Sequence, residues 1–135
     1  MISSTVELRN VAGTEAALGW AGSHTIVVDR PEGKAGGRNL GFNGGQLLAL
    51  AIGGCFCNDL RYVAHEMNVD IEDIAVSVTL ELDGTPLVAV GAELDVICTS
   101  GDGSDTRALI ERARSVCTVA NSVMQGFPVS FRVAG

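Results

Sequence analysis

The chain has 135 residues, of which 47% are apolar and only 19% charged, a balance that supplies a core and excludes intrinsic disorder. Nine basic against sixteen acidic residues give a net charge of −7, which argues against nucleic acid and anionic membrane surfaces as partners. Four cysteines are too few for a disulfide scaffold, while seventeen glycines are about twice ordinary usage.

The length fits a single domain over residues 1–135. The opening residues lack the pattern of a secretory signal, and the apolar run Leu47 to Cys57 is shorter than a membrane span. The expectation is a soluble cytoplasmic protein. In a reducing compartment its cysteines serve as core, redox or metal residues rather than as static cross-links.

Alternation predicts a first strand at Thr5 to Arg9, a weaker one at Ala17 to Trp20 and a third at His24 to Asp29. A glycine-rich loop follows from Asp29 to Gly45, carrying Arg30, Lys34 and Arg38, a third of all the basic residues. Gln46 to Met67 reads as one long helix. Its first half is so apolar that it should be buried almost all round. Gly53 and Gly54 each cost roughly 1 kcal/mol relative to alanine inside a helix, which predicts close approach of another backbone.

Ile74 to Leu82 and Val88 to Cys98 alternate strictly around an Asp83-Gly84-Thr85-Pro86 turn and predict a hairpin. Ser104 or Asp105 can cap a helix beginning near Thr106, with Leu109, Ile110, Ala113, Val116 and Cys117 as its apolar stripe. Thr118 to Met124 suits a short further helix. Phe127, Val129, Phe131 and Val133 alternate as a closing strand. This order is α+β, with helices packed on antiparallel sheet.

Several chemistries are excluded by motif. No phosphate-binding G-x-x-x-x-G-K-[ST] occurs, His24 and His65 form no metal-binding pair, and no nucleophile elbow is present. Cys55 and Cys57 are spaced C-x-C, and on a helix they point about 200° apart, so they cannot share a metal there. The cysteines remain. Cys55 sits in the apolar helix, Cys117 ends the next helix, Cys57 faces elsewhere and Cys98 lies on an apolar strand face. Each is, on composition, a buried core residue. A reactive Cys55 needs a stabilised thiolate. Asp59, one turn on, opposes that if it faces the sulfur, so a cation must come from elsewhere in the chain. Arg9, Arg30 and Arg38 are the free candidates.

The segment Gly44-Gly45-Gln46-Leu47-Leu48-Ala49-Leu50-Ala51-Ile52-Gly53-Gly54-Cys55-Phe56 resembles the central-helix motif of the OsmC/Ohr family, the osmotically inducible and organic hydroperoxide resistance proteins. Ala113-Arg114-Ser115-Val116-Cys117-Thr118-Val119-Ala120-Asn121-Ser122 resembles its second motif, and the element order agrees over nearly the whole chain. The resemblance implies an OsmC-like fold in an intertwined homodimer, with sheets wrapped around paired central helices and Gly53 and Gly54 as spacers between them. It implies a peroxidase that reduces organic hydroperoxides, with Cys55 as the peroxidatic residue and Cys117 as the resolving one. Phe56 and Asp59 would border the pocket. No cofactor is implied beyond an external dithiol or thiol reductant protein, and no metal. Peroxidase members carry a glutamate immediately before the Gln-Leu pair, where this chain has Gly45; it orients their activating arginine, for which Arg9 is the nearest match by element and Arg30 and Arg38 are substitutes. The alternative is a divergent dimer that binds a small apolar or thiol-reactive ligand at the subunit interface. A purely structural dimer would instead leave Cys55 and Cys117 too far apart to bridge.

Overall fold

The computed structural model describes residues 1–134. The chain divides into two compact units, one ending at Leu48 and the other beginning at Ala49, so the division falls inside the long helix.

In the first unit, β1 (Glu7–Asn10), β2 (Ala17–Ala21) and β3 (His24–Val28) form an antiparallel meander in the order β1-β2-β3. These are the three strands expected, with ends displaced by one or two residues. The following loop is organised around Asp29. Its buried carboxylate accepts the backbone N–H groups of Arg30, Arg38 and Leu40 at 2.8, 3.1 and 3.0 Å. Those donors, led by Leu40, hold the carboxyl below its usual range. The loop then runs back along β3: Phe42 N–H donates to the Val27 carbonyl and Asp29 N–H to the Phe42 carbonyl, both at 3.0 Å. Gly41 is required at this approach, because a Cβ there would stand 1.9 Å from the Val27 carbonyl oxygen.

α1 (Gly44–Met67) opens with a reciprocal cap. Asn43 Oδ1 accepts the Gln46 N–H at 2.9 Å, and Gln46 Oε1 accepts the Asn43 N–H at 3.0 Å. Asn43→Ala should therefore cost about 1 kcal/mol of stability in urea denaturation. An unchanged midpoint would show that the cap contributes nothing.

In the second unit, β4 (Ile71–Asp83) and β5 (Val88–Ser100) form the long antiparallel hairpin. Ile74 lies opposite Cys98, Val76 opposite Val96 and Val78 opposite Leu94, which places these apolar residues on one face. α2 (Arg107–Val116) and α3 (Thr118–Gln125) follow. Phe56, Leu60, Val63 and Ala64 of α1 pack with Ile71, Cys98, Leu109, Ala113 and Cys117 in one buried cluster. By length and composition α1 could cross a membrane, but this packing makes it a core helix.

Four details differ from the reading of the sequence. The first half of α1 is not enclosed all round: Leu50, Ala51 and Gly54 are exposed. Gly53 meets the sheet of its own chain. A Cβ on it would approach Val78 Cγ2 to 2.8 Å, whereas nothing within the chain lies within 4 Å of a Cβ on Gly54. α2 is preceded by Thr106, whose hydroxyl donates to the Cys98 carbonyl, and Asp105 instead accepts the Arg107 N–H from one residue further back. Finally, among the described residues no strand follows α3, and Phe127, Val129, Phe131 and Val133 are exposed. Alternation records a two-faced environment. It does not supply the hydrogen-bonding edge a strand needs.

Candidate active site

The helical period places Cys55 and Asp59, four residues apart, on the same face of α1. The Cys55 thiol donates to Asp59 Oδ2 at 3.6 Å. Cys117 reaches the same point from the junction of α2 and α3. There the backbone leaves the helix at φ −66°, ψ 106°, and the turn is closed by its N–H donating to the Arg114 carbonyl. The sulfurs of Cys55 and Cys117 and a carboxylate oxygen of Asp59 all lie within 4.8 Å of one another. All four cysteines are free thiols.

The three residues differ in exposure. Cys117 is 1% exposed, while Cys55 and Asp59 are half-buried. Burial pushes the Cys117 thiol up to about 11, and its interactions with Cys55 and Asp59 add to the rise, against a backbone hydrogen bond at Ala120 that lowers it. A folded-state value above the ordinary 9.0 means that the unfolded chain loses this proton first. Stability contributed by the protonated thiol is full below pH 9.0 and declines as pH rises toward about 11. Alkylation of Cys117 should accordingly be slow at neutral pH and accelerate up to about pH 11, as followed by peptide mass spectrometry. A plateau near pH 8 would contradict this environment.

Cys117 borders a cavity of about 710 Å³, of a size that accepts small organic molecules, whereas Cys55 and Asp59 are not in its lining. Ile52, Phe56, Leu94, Val96, Ile110, Ala120 and Met124 supply apolar lining, Cys117 opens onto it, and Glu111 and Arg114 add charge. Phe56 thus stands in the cavity wall. Arg114 is exposed on α2, and its Nη1 lies 3.5 Å from Glu111 Oε2.

The remaining candidates belong to the first unit. Arg9 is exposed on β1 and Arg38 is exposed in the loop. Arg30 is committed within its unit, its Nη2 lying 3.2 Å from Asp29 Oδ1 and donating to the Glu15 carbonyl. The first turn of α1, with Gly45, has no acidic side chain. Within the second unit the polar partner of Cys55 is a carboxylate. Cys98 is buried and its thiol is raised by that burial, against a smaller opposing effect of Arg61. Cys57, two positions from Cys55, faces away from the pair.

Comparison with known proteins supplies the context. The family model described as OsmC-like protein matches residues 36–132. A search of curated proteins finds no match. Among solved structures, an OsmC-like protein from Mycoplasma pneumoniae superposes with a TM-score of 0.75 at 16% identity, covering 91% of this chain and 88% of that one. An OsmC-like protein of unknown function from Vibrio cholerae O1 gives 0.76 at 12% identity, covering 90% and 94%. An organic hydroperoxide resistance protein from Legionella pneumophila gives 0.63 at 20% identity, covering 91% and 90%. These similarities establish an OsmC-like fold, and with the family model matching well over half of its length, the chain belongs to the OsmC-like protein family.

Proposed function

We propose that this protein is a thiol peroxidase that reduces organic hydroperoxides. The observation that carries the reading is the convergence of the Cys55 and Cys117 sulfurs within 4.8 Å, with Cys117 in the lining of an apolar cavity. Cys55, the more accessible of the two, attacks the distal peroxide oxygen. The O–O bond breaks, the alkoxide leaves and takes a proton as alcohol, and the sulfur becomes a sulfenic acid. Cys117 then attacks that sulfur and hydroxide leaves as water, forming the disulfide. Asp59, in contact with the Cys55 thiol, is placed to accept the protons these thiols lose. An external dithiol returns both cysteines to the reduced state by exchange. The apolar wall around Phe56 favours an alkyl peroxide over hydrogen peroxide.

The working form in this reading is a cytoplasmic homodimer. Its support is the large apolar surface left by one chain, with Tyr62 69% and Phe131 88% exposed. Light scattering on a sizing column should give twice the monomer mass; a monomer at micromolar concentration would remove the dimer from the proposal.

A second reading rests on Asp59. A carboxylate at the sulfur, with no glutamate in the first turn of α1, suits a family member that binds an apolar or thiol-reactive ligand without turnover. One experiment separates the two. Reduced protein is mixed with cumene hydroperoxide or hydrogen peroxide, and thiol loss is followed by mass spectrometry. A fast Cys55–Cys117 disulfide with the organic peroxide supports the peroxidase. Oxidation of Cys55 no faster than that of Cys57 or Cys98 rejects it in favour of ligand binding.

A further inference from the structure

The donor set Cys55, Asp59 and Cys117 has a second chemistry that does not depend on reaction with peroxide. We propose that, with both sulfurs reduced, these three side chains bind a zinc ion. Zinc takes thiolate sulfur at about 2.3 Å and carboxylate oxygen at about 2.0–2.2 Å, usually in a tetrahedron. Those lengths put two sulfurs about 3.8 Å apart and a sulfur and an oxygen about 3.6 Å apart. Cys55 Sγ and Asp59 Oδ2 already stand at 3.6 Å. All three donor atoms fall within 4.8 Å of one another, so only small side-chain rotations complete the triangle.

The donors stand on packed elements. Cys55 and Asp59 share one helix face, and Phe56 and Leu60, beside them in sequence, are buried in the core that also holds Cys117. The metal therefore meets an arranged set rather than two mobile thiols. Two sulfurs with one carboxylate suit zinc; calcium and magnesium take oxygen ligands. Three protein ligands leave a fourth position for water, the pattern of open zinc sites rather than closed structural ones. The half-buried Cys55 and Asp59 provide the path of entry.

Cobalt substitution tests the proposal directly. Full-length protein, reduced and metal-free, is titrated with Co²⁺ in the absence of peroxide. The expected result is a thiolate-to-cobalt charge-transfer band and tetrahedral visible bands that saturate at one ion per chain and vanish on adding Zn²⁺. Cys55→Ser and Cys117→Ser should each weaken binding more than about 100-fold, since loss of even an outer-sphere partner costs 10–100-fold. Asp59→Asn should weaken it while leaving the charge-transfer band in place. Absence of the band in the wild type, or undiminished cobalt affinity in Cys117→Ser, overturns the proposal. Should a variant fail to fold, the wild type still decides. Zinc should slow maleimide labelling of Cys55, but not of Cys57, relative to the metal-free protein, and labelling of Cys55 that is the same with and without zinc rejects the site. Failure here and failure of the peroxidase reading are distinct. Binding without peroxide reactivity supports the zinc site and rejects only the peroxidase, whereas a peroxide-driven disulfide without cobalt binding rejects only the zinc site.

Discussion

Replacement of Cys55 by serine should lower cumene hydroperoxide consumption on the order of 10³-fold or more, because the hydroxyl that remains is un-ionised at neutral pH and a poor nucleophile toward peroxide oxygen. Cys117→Ser should behave differently. Its sulfur acts after the O–O bond has broken, so a single turnover should proceed and stop at the sulfenic acid, which dimedone would trap on Cys55. Cys98→Ser and Cys57→Ser should leave turnover unchanged. Cys98 is enclosed in the core and Cys57 faces away from the pair. Peroxide consumption with a dithiol reductant, together with intact-protein mass, measures all four variants. Full activity in Cys55→Ser would eliminate the peroxidatic assignment, whatever becomes of the metal site.

Leu60→Ala should lower unfolding stability by about 2–5 kcal/mol. Leu60 is 0% exposed, in the cluster that joins α1 to α2 and to the β4–β5 hairpin. The substitution removes apolar contact with the surrounding cluster, which includes Phe56 and Leu109, and leaves a cavity that such packing relaxes into only partly. The same cluster holds Cys117, so the variant should also slow disulfide formation by loosening the approach of the two sulfurs. Leu87→Ala, at an exposed turn position, should stay within about 0.5 kcal/mol of the parent. Chemical denaturation of the reduced proteins measures both. A loss below 1 kcal/mol for Leu60→Ala would show that this residue does not anchor the core.

The two cysteine motifs were legible because each is a local pattern. Cys55 is fixed on an apolar helix by the residues around it, and Cys117 falls at the end of a helical stripe whose next turn is broken. The hairpin was legible for the same reason: strict alternation on both sides of a turn leaves one pairing that buries both apolar faces. The role of Asp59 was only half legible. Its spacing allowed contact with Cys55, but the rotamers that turn the thiol toward Oδ2 belong to the packed helix. The Asn43–Gln46 cap was readable in principle, as a polar residue followed three positions later by glutamine before an apolar run.

The segment from Phe127 to Val133 marks the opposite limit. Its alternation is as regular as that of β5, yet in this chain it has no ladder. Gly53 teaches the same lesson from the other side: a glycine pair in a helix signals a close neighbour, but only the fold identifies Val78 as that neighbour. Apart from the closing strand, periodicity, capping and turn chemistry were enough to establish the elements, their order and the α+β class, since these depend on residues close together along the chain. The meeting of Cys55, Asp59 and Cys117, and the cavity that Cys117 borders, required the folded chain. They join residues 62 positions apart, from Cys55 to Cys117, whose separation is set by how α1 and α2 pack against one sheet, and no local period encodes that distance.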